Sequence, residues 1–291
     1  MKRRAFLLGT GSAVFGAPIY SRIAHTRAVG PNESATRLFE WERGIAIEAR
    51  AEKGMAVFLW FYEWNMFDAM TSGEHTLGRF EDFQRTLSPD GAEANVVNDQ
   101  LRLTVRATET GADLGIEVTN KSDRDWPALA AIIPCLSPGK IGNNLNERRG
   151  SAEGLLPPRN PAFANENTFF LADSGLQLLH GREIHFNSKL RPQIDAAARN
   201  GGFVFSQKWP TAAPDAAGGI MVRESTDGSW VSGVAWDDFL SVQAHNPWQC
   251  MHLAPRIGPL KRNETKSIRG RLYLFRGNKD DCLRRYRADF A

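Results

Sequence analysis

The stretch Leu101-Arg102-Leu103-Thr104-Val105-Arg106 alternates apolar and polar side chains without a break. A period of two sends alternate side chains to opposite faces of a strand, so this segment can bury one face and wet the other. Similar short runs of β-branched and aromatic residues recur along the chain, separated by clusters of Gly, Pro, Asn and Asp. That punctuation specifies an all-β chain. The runs predict strands over 37–48, 56–62, 100–107, 114–120, 128–134, 168–171, 176–180, 183–187, 202–207, 219–224, 231–236, 248–254 and 267–275. Helix is expected only over 80–86 and 279–289, where Cys282, Leu283 and Tyr286 make an apolar stripe at helical spacing. The predicted fold is therefore a large antiparallel β-sandwich with a short C-terminal helix. Segment 137–166 is rich in Pro, Gly and Asn and long for a loop, and is expected to cover a sheet face or a site.

The N-terminus reads MKRRAFLLGTGSAVFGAPIY. Its basic start and weakly apolar run are too short and Gly-rich to span a bilayer. Arg3-Arg4 followed by Ala5-Phe6-Leu7 resembles a twin-arginine export signal. The pattern predicts a signal peptide over 1–28, cleavage near Ala28, and a periplasmic or secreted protein. Residues 29–291 then read as one sandwich domain, without repeats. The first 28 residues carry five basic side chains and no acidic one, leaving 31 basic against 33 acidic residues. That balance, with no Lys/Arg stripe interleaved with aromatics, argues against nucleic acid as a partner. No later apolar run is long enough to predict a membrane span. Oligomeric state is not legible.

Cys135, Cys250 and Cys282 show no CxxC spacing, and an odd count leaves at least one thiol outside any intramolecular disulfide. The densest cluster of chemistry is His245-Asn246-Pro247-Trp248-Gln249-Cys250-Met251-His252. Pro247 makes the entry a turn or strand start. If strand begins at Trp248, then Trp248, Cys250 and His252 share a face, and His245 approaches through the turn. The spacing is not a metal signature such as HExxH, and no metal or cofactor is expected. Either this face lines a polar site, or His252 is a hydrogen-bonded core histidine.

In Arg182-Glu183-Ile184-His185-Phe186-Asn187, alternation puts Glu183, His185 and Asn187 in one polar row. Such a row can read hydroxyl groups, and is equally what the wet face of a sheet looks like. The run from Phe58 to Phe67 is apolar on both faces and interrupted by Glu63. A carboxyl among aromatics has its pKa raised and can act as a general acid; the alternative is a rim position beside Trp64 and Asn65. Asp237-Asp238 reads as a turn, because adjacent carboxylates on a strand face opposite ways. Arg148-Arg149, in the long loop, could grip an acidic sugar or simply be solvated.

The run LGIEVTNKSDRDWPALAAIIPCLSPG, residues 114–139, resembles a strand region of the galactose mutarotase-like (aldose epimerase-type) β-supersandwich. Cys250-Met251-His252-Leu253 and the later Gly258–Glu264 stretch resemble that family's last strands. The C-terminal part also resembles exported proteins of planctomycete type, which implies no activity. The family resemblance implies a sugar ligand on a concave sheet face. Where its general-acid histidine falls, this chain has Ile133-Pro134-Cys135, and where its base glutamate falls stands His252. Mutarotation therefore lacks its acid and base here.

Together these features predict an exported carbohydrate-active protein. As a glycan hydrolase or lyase it would use Glu63, His185 and His252 as catalytic residues. Trp64, Asn65, Glu183, Asn187, His245 and Trp248 would contact the glycan. A non-catalytic glycan-binding protein or a structural envelope protein are the alternatives.

Overall fold

The computed structural model describes residues 34–41, 44–65, 76–77, 83–140, 162–199, 210–245 and 250–291; at 63–65, 76–77 and 139–140 this covers the backbone alone. The strands in chain order begin with β1 (Thr36–Trp41), β2 (Gly44–Ala49), β3 (Met55–Asn65), β4 (Thr76–Leu77), β5 (Gln84–Leu87) and β6 (Glu93–Val97). Next come β7 (Leu101–Thr108), β8 (Gly111–Thr119), β9 (Ile132–Lys140), β10 (Thr168–Ala172), β11 (Gly175–Leu178) and β12 (Ile184–Phe186). Helix α1 (Arg191–Arg199) precedes β13 (Ile220–Glu224), β14 (Trp230–Trp236), β15 (Phe239–Gln243), β16 (His252–Pro255) and β17 (Thr265–Arg276). Helix α2 (Lys279–Asp289) follows.

One sheet has nine antiparallel strands in the order β11-β10-β13-β14-β17-β8-β7-β6-β5. Facing it is a composite sheet. In its first part β1, β2, β3 and β9 pair in that order, with β4 on the β2 side of β3; its second part is β12-β15-β16. The parts meet where the Leu136 and Met251 amides each donate to the other's carbonyl, at 3.0 and 2.7 Å, and again at Ala131 and Arg256. The front sheet thus runs β1-β2-β3-β9-β16-β15-β12.

The main core lies between the sheets. Leu101, Leu103 and Val105 are buried in it while Arg102 and Arg106 point to water, as the alternation of β7 requires. From the front sheet Ile45, Leu59, Leu136, Met251, Val242 and Leu253 enter the same core. The fold is an all-β sandwich ending in a helix. An Asn278/Asp281 capping box starts α2, which packs Cys282 with Val222, Val231 and Tyr273 on the outer face of the nine-stranded sheet. Among the described residues no helix is long and apolar enough to cross a membrane.

Three local departures from the predicted elements have physical causes. The strand expected over 37–48 is divided between two antiparallel strands, β1 and β2, because the apolar run of β2, buried along its whole length, reads in sequence as a continuation of β1. Residues 84–86, expected in a helix, pair with β6 as part of β5, so the ladder overrides local preference. Helix α1 was not expected; it is short, and only Ile194 and Ala197 are buried. Asp237-Asp238 is the expected turn, with Asp238 bound by Arg256 and Lys266. The expected signal peptide, the strand over 202–207, Arg148-Arg149 and most of the long loop lie outside the described residues.

Candidate functional site

The outer face of the front sheet, turned away from the main core, carries one row of residues across the strands. Trp41 on β1 is in register with Gly44 on β2. The β2–β3 register, continued one step past Ile45↔Leu59, sets Gly44 beside Trp60. Trp60 is in register with Cys135 on β9. The Leu136/Met251 bridge then puts Cys135 beside His252, and Cys250 diagonally next to them. His252 faces Gln243 on β15, and Gln243 faces Ile184 on β12. Residues directly opposite in an antiparallel ladder share a face, so all of these project together.

Helix α1 closes one end of this face: its Ile194 and Ala197, with Leu190 just before it, pack on Ile133, Ile184, Phe186 and Ala254. At the other end Phe39 and Trp41 stay half-buried over Phe58. Their rings meet Phe58 edge-on, with centroids 6.5 and 5.4 Å away. Between the ends Trp60, Cys135 and Cys250 form a buried cluster. The Cys135 and Cys250 sulfurs and a His252 ring nitrogen all lie within 4.8 Å of one another.

Burial is the first cause of the electrostatics here, and Arg223 the second. Arg223, on β13, is wholly buried; its Nε donates to Thr168 Oγ1 at 2.7 Å and a terminal nitrogen to Asn165 Oδ1 at 3.0 Å. Burial draws its pKa down to about 10, against the pull of Cys250, Glu166 and Cys135. His252 is held down to about 3, first by burial and then by Arg223, so its imidazole is neutral near pH 7. Its Nδ1 lies 3.2 Å from the Gln243 side-chain amide. A neutral imidazole beside two thiols is a soft donor set, and a poor group for exchanging protons with solvent.

The residues singled out from the sequence do not all come together. His185 is in register with Val242, which faces Leu253, whereas His252 is in register with Gln243. The two histidines therefore project from opposite faces of the β12-β15-β16 sheet. His185 points into the sandwich, stacked 4.1 Å from Phe170, with Nδ1 donating to the Pro214 carbonyl at 2.7 Å. Glu183 Oε1 is 3.3 Å from its Nε2. Asn187 spends its amide on the backbone, donating to Phe239 O and accepting from Lys189 N. The expected row thus serves the interior at His185 and a turn at Asn187, because β12 is only three residues long.

His245 adopts a left-handed φ of 58° just beyond β15. Its pKa is lowered by burial and then by Arg223, and its Nε2 is buried without a hydrogen-bond partner among the described residues. Trp248 lies outside the described residues, as do the side chains of Glu63, Trp64 and Asn65; the backbone of those three continues β3. Gln243, Trp41 and the adjacency of Cys135 to His252 went unrecognised in the sequence. The shared face of Cys250 and His252 was legible from period two; the strand carrying Cys135 is set beside them only by sheet order.

No family model matches the chain, and no curated protein matches it either. Among solved structures the fold is similar to a galactose mutarotase related enzyme from Lactobacillus acidophilus, at 9% identity and TM-score 0.41, over 85% of this chain and 97% of that one. It is similar to a galactose mutarotase-like protein from Lactobacillus casei, at 10% identity and TM-score 0.40, over 82% and 99%. A polysaccharide lyase is also similar, at 10% identity and TM-score 0.30, over 75% of this chain and 26% of that one. The resemblance to mutarotase-like proteins is thus a remote likeness of fold.

Proposed function

We propose that the protein binds carbohydrate on the outer face of its front sheet. The observation that carries this reading is the pair Phe39 and Trp41, two half-buried rings at i and i+2 on β1, braced edge-on by Phe58 and continued inward by Trp60. Rings fixed in this way lose little freedom when a pyranose stacks its C–H face on them. A catalytic form of the reading, a glycan hydrolase or lyase, takes Glu63 as acid and His252 as base, with Trp64, Asn65 and Trp248 around the ligand. It needs those two groups within about 5–10 Å of each other, and it does without His185, which faces the interior. Recognition alone asks only for the aromatic pair and nearby amides, and is the reading preferred.

The test is affinity electrophoresis of the purified protein on a panel of soluble polysaccharides, with released products scored in parallel. Trp41→Ala is expected to weaken retention about tenfold, the loss of roughly 1.4 kcal/mol of ring contact. Product that disappears in a folded Glu63→Gln variant would establish the hydrolase or lyase. Failure of every polysaccharide to retard the protein would sink the carbohydrate reading.

A further inference from the structure

We propose that Cys135, Cys250 and His252 form a binding site for a soft d10 metal cation, with Cu⁺ favoured over Zn²⁺. The proposal is independent of carbohydrate binding; where the metal is bound, His252 is not available as a base.

Three observations support it. The donors come from two neighbouring strands, β9 and the segment entering β16, tied by the paired Leu136/Met251 hydrogen bonds, so their spacing is set by backbone. Metal–sulfur and metal–nitrogen bonds of about 2.0–2.3 Å correspond to donors about 3.5–4 Å apart. Donor atoms already within 4.8 Å of one another need only small rotamer adjustments to close on an ion.

The second observation is chemical type. All three residues are buried, and the set is two sulfurs and an imidazole with no carboxylate among them. Thiolate-rich sets select Cu⁺ and Zn²⁺ over the hard cations, which require oxygen. Gln243 stands beside His252 Nδ1 at 3.2 Å. With its amide turned to present oxygen, Gln243 would accept the Nδ1 proton and leave Nε2 as the ligand atom. A hydrogen bond to the second ring nitrogen is the usual support of a ligating histidine.

The third is charge. Arg223 is within electrostatic reach of both thiols and of the imidazole. Two thiolates, one imidazole and Cu⁺ carry a net charge of −1, which the positive charge of Arg223, shared with Glu166, offsets in part. The Zn²⁺ complex is neutral and leaves the arginine as it was. Binding moves the two thiol protons to solvent and changes no oxidation state.

The experiment is reduction of the full-length purified protein, followed by titration with Cu⁺ against a chromophoric Cu⁺ chelator and, separately, with Zn²⁺. One equivalent of Cu⁺ is expected per chain, lost in Cys135→Ser, Cys250→Ser and His252→Gln and kept in Cys282→Ser, whose thiol lies under α2. Gln243→Leu should weaken binding about 10–100-fold, the usual effect of removing an outer partner. X-ray absorption of the loaded wild-type protein reads sulfur and nitrogen neighbours without any substitution, so a variant that does not fold leaves the test intact. Stoichiometric binding that survives both cysteine substitutions, or no binding at all, overturns the site. So does a thiol count showing a Cys135–Cys250 disulfide that resists reduction in the folded protein. Zn²⁺ bound at the same three residues in preference to Cu⁺ keeps the site and overturns the charge argument.

Discussion

The His185 ring stacks on Phe170 and holds the Pro214 carbonyl, so its removal acts on the interior. His185→Ala is expected to cost about 2–4 kcal/mol, combining a cavity with the loss of the ring's hydrogen bond to the Pro214 carbonyl. Urea unfolding measures the cost, and polysaccharide retention by the folded fraction should stay as in the wild type. A folded variant that no longer bound would return His185 to a ligand-facing role. Gly44 is constrained in a different way. A Cβ there would lie 2.0 Å from the Leu59 carbonyl oxygen, so β2 and β3 would have to move apart. Gly44→Ala should destabilise by about 1–3 kcal/mol or more, a fall visible in the urea midpoint; an unchanged midpoint would contradict the close approach of the strands. These cases mark what a single sequence conceals. The types at Glu183, His185 and Asn187 were readable as polar and alternating. Which face of a three-residue strand meets the core is set by β15, a partner that no local pattern announces.

At the scale of elements, the C-terminal helix was the most legible, because its apolar stripe is local. The 279–289 helix has the bounds read from its apolar stripe, and its Asn278/Asp281 capping box satisfies amides that the helix itself leaves open. Asn278→Ala should cost about 1 kcal/mol in chemical unfolding. The hairpin joining β13 to β14 depends on Asp227, which accepts from the Ser225 hydroxyl and from the Ser229 amide and hydroxyl. Those donors, the Ser225 hydroxyl first, hold its carboxyl down to about 2 from an ordinary 3.8. A carboxyl with a depressed folded pKa adds stability above its unfolded pKa and loses it as pH falls through the folded value. The window is therefore from about 4 down to about 2. Acid titration of stability should show this decrement in the wild type and not in Asp227→Asn; equal curves would mean that the turn does not bind the carboxylate. Strands that gain their state from a distant partner were less legible. Segment 84–86 reads locally as helix and joins β5 only because β6 offers it a ladder.

For the whole molecule, the sandwich class followed from alternation and punctuation, whereas the joining of the front sheet did not. The join rests on Leu136 and Met251, far apart in sequence, whose amides bond to each other's carbonyls while both side chains enter the main core. It also brings Cys135 to Cys250 and His252, so the candidate metal site exists only because two parts of the chain meet there. This coupling can be tested without any ligand. Met251→Ala should destabilise by about 2–5 kcal/mol, since it empties a fully buried position in the shared core. Hydrogen exchange then separates two architectures. If the front sheet is one cooperative unit, the Leu136 and Met251 amides exchange only with global unfolding, and Met251→Ala speeds exchange in β3 and β15 alike. If the β12-β15-β16 part opens by itself, its amides alone respond, and Cys135 parts from Cys250 and His252 in that open state. The reciprocal hydrogen bonds and common core favour the single unit, with the donor cluster as rigid as the sandwich that carries it.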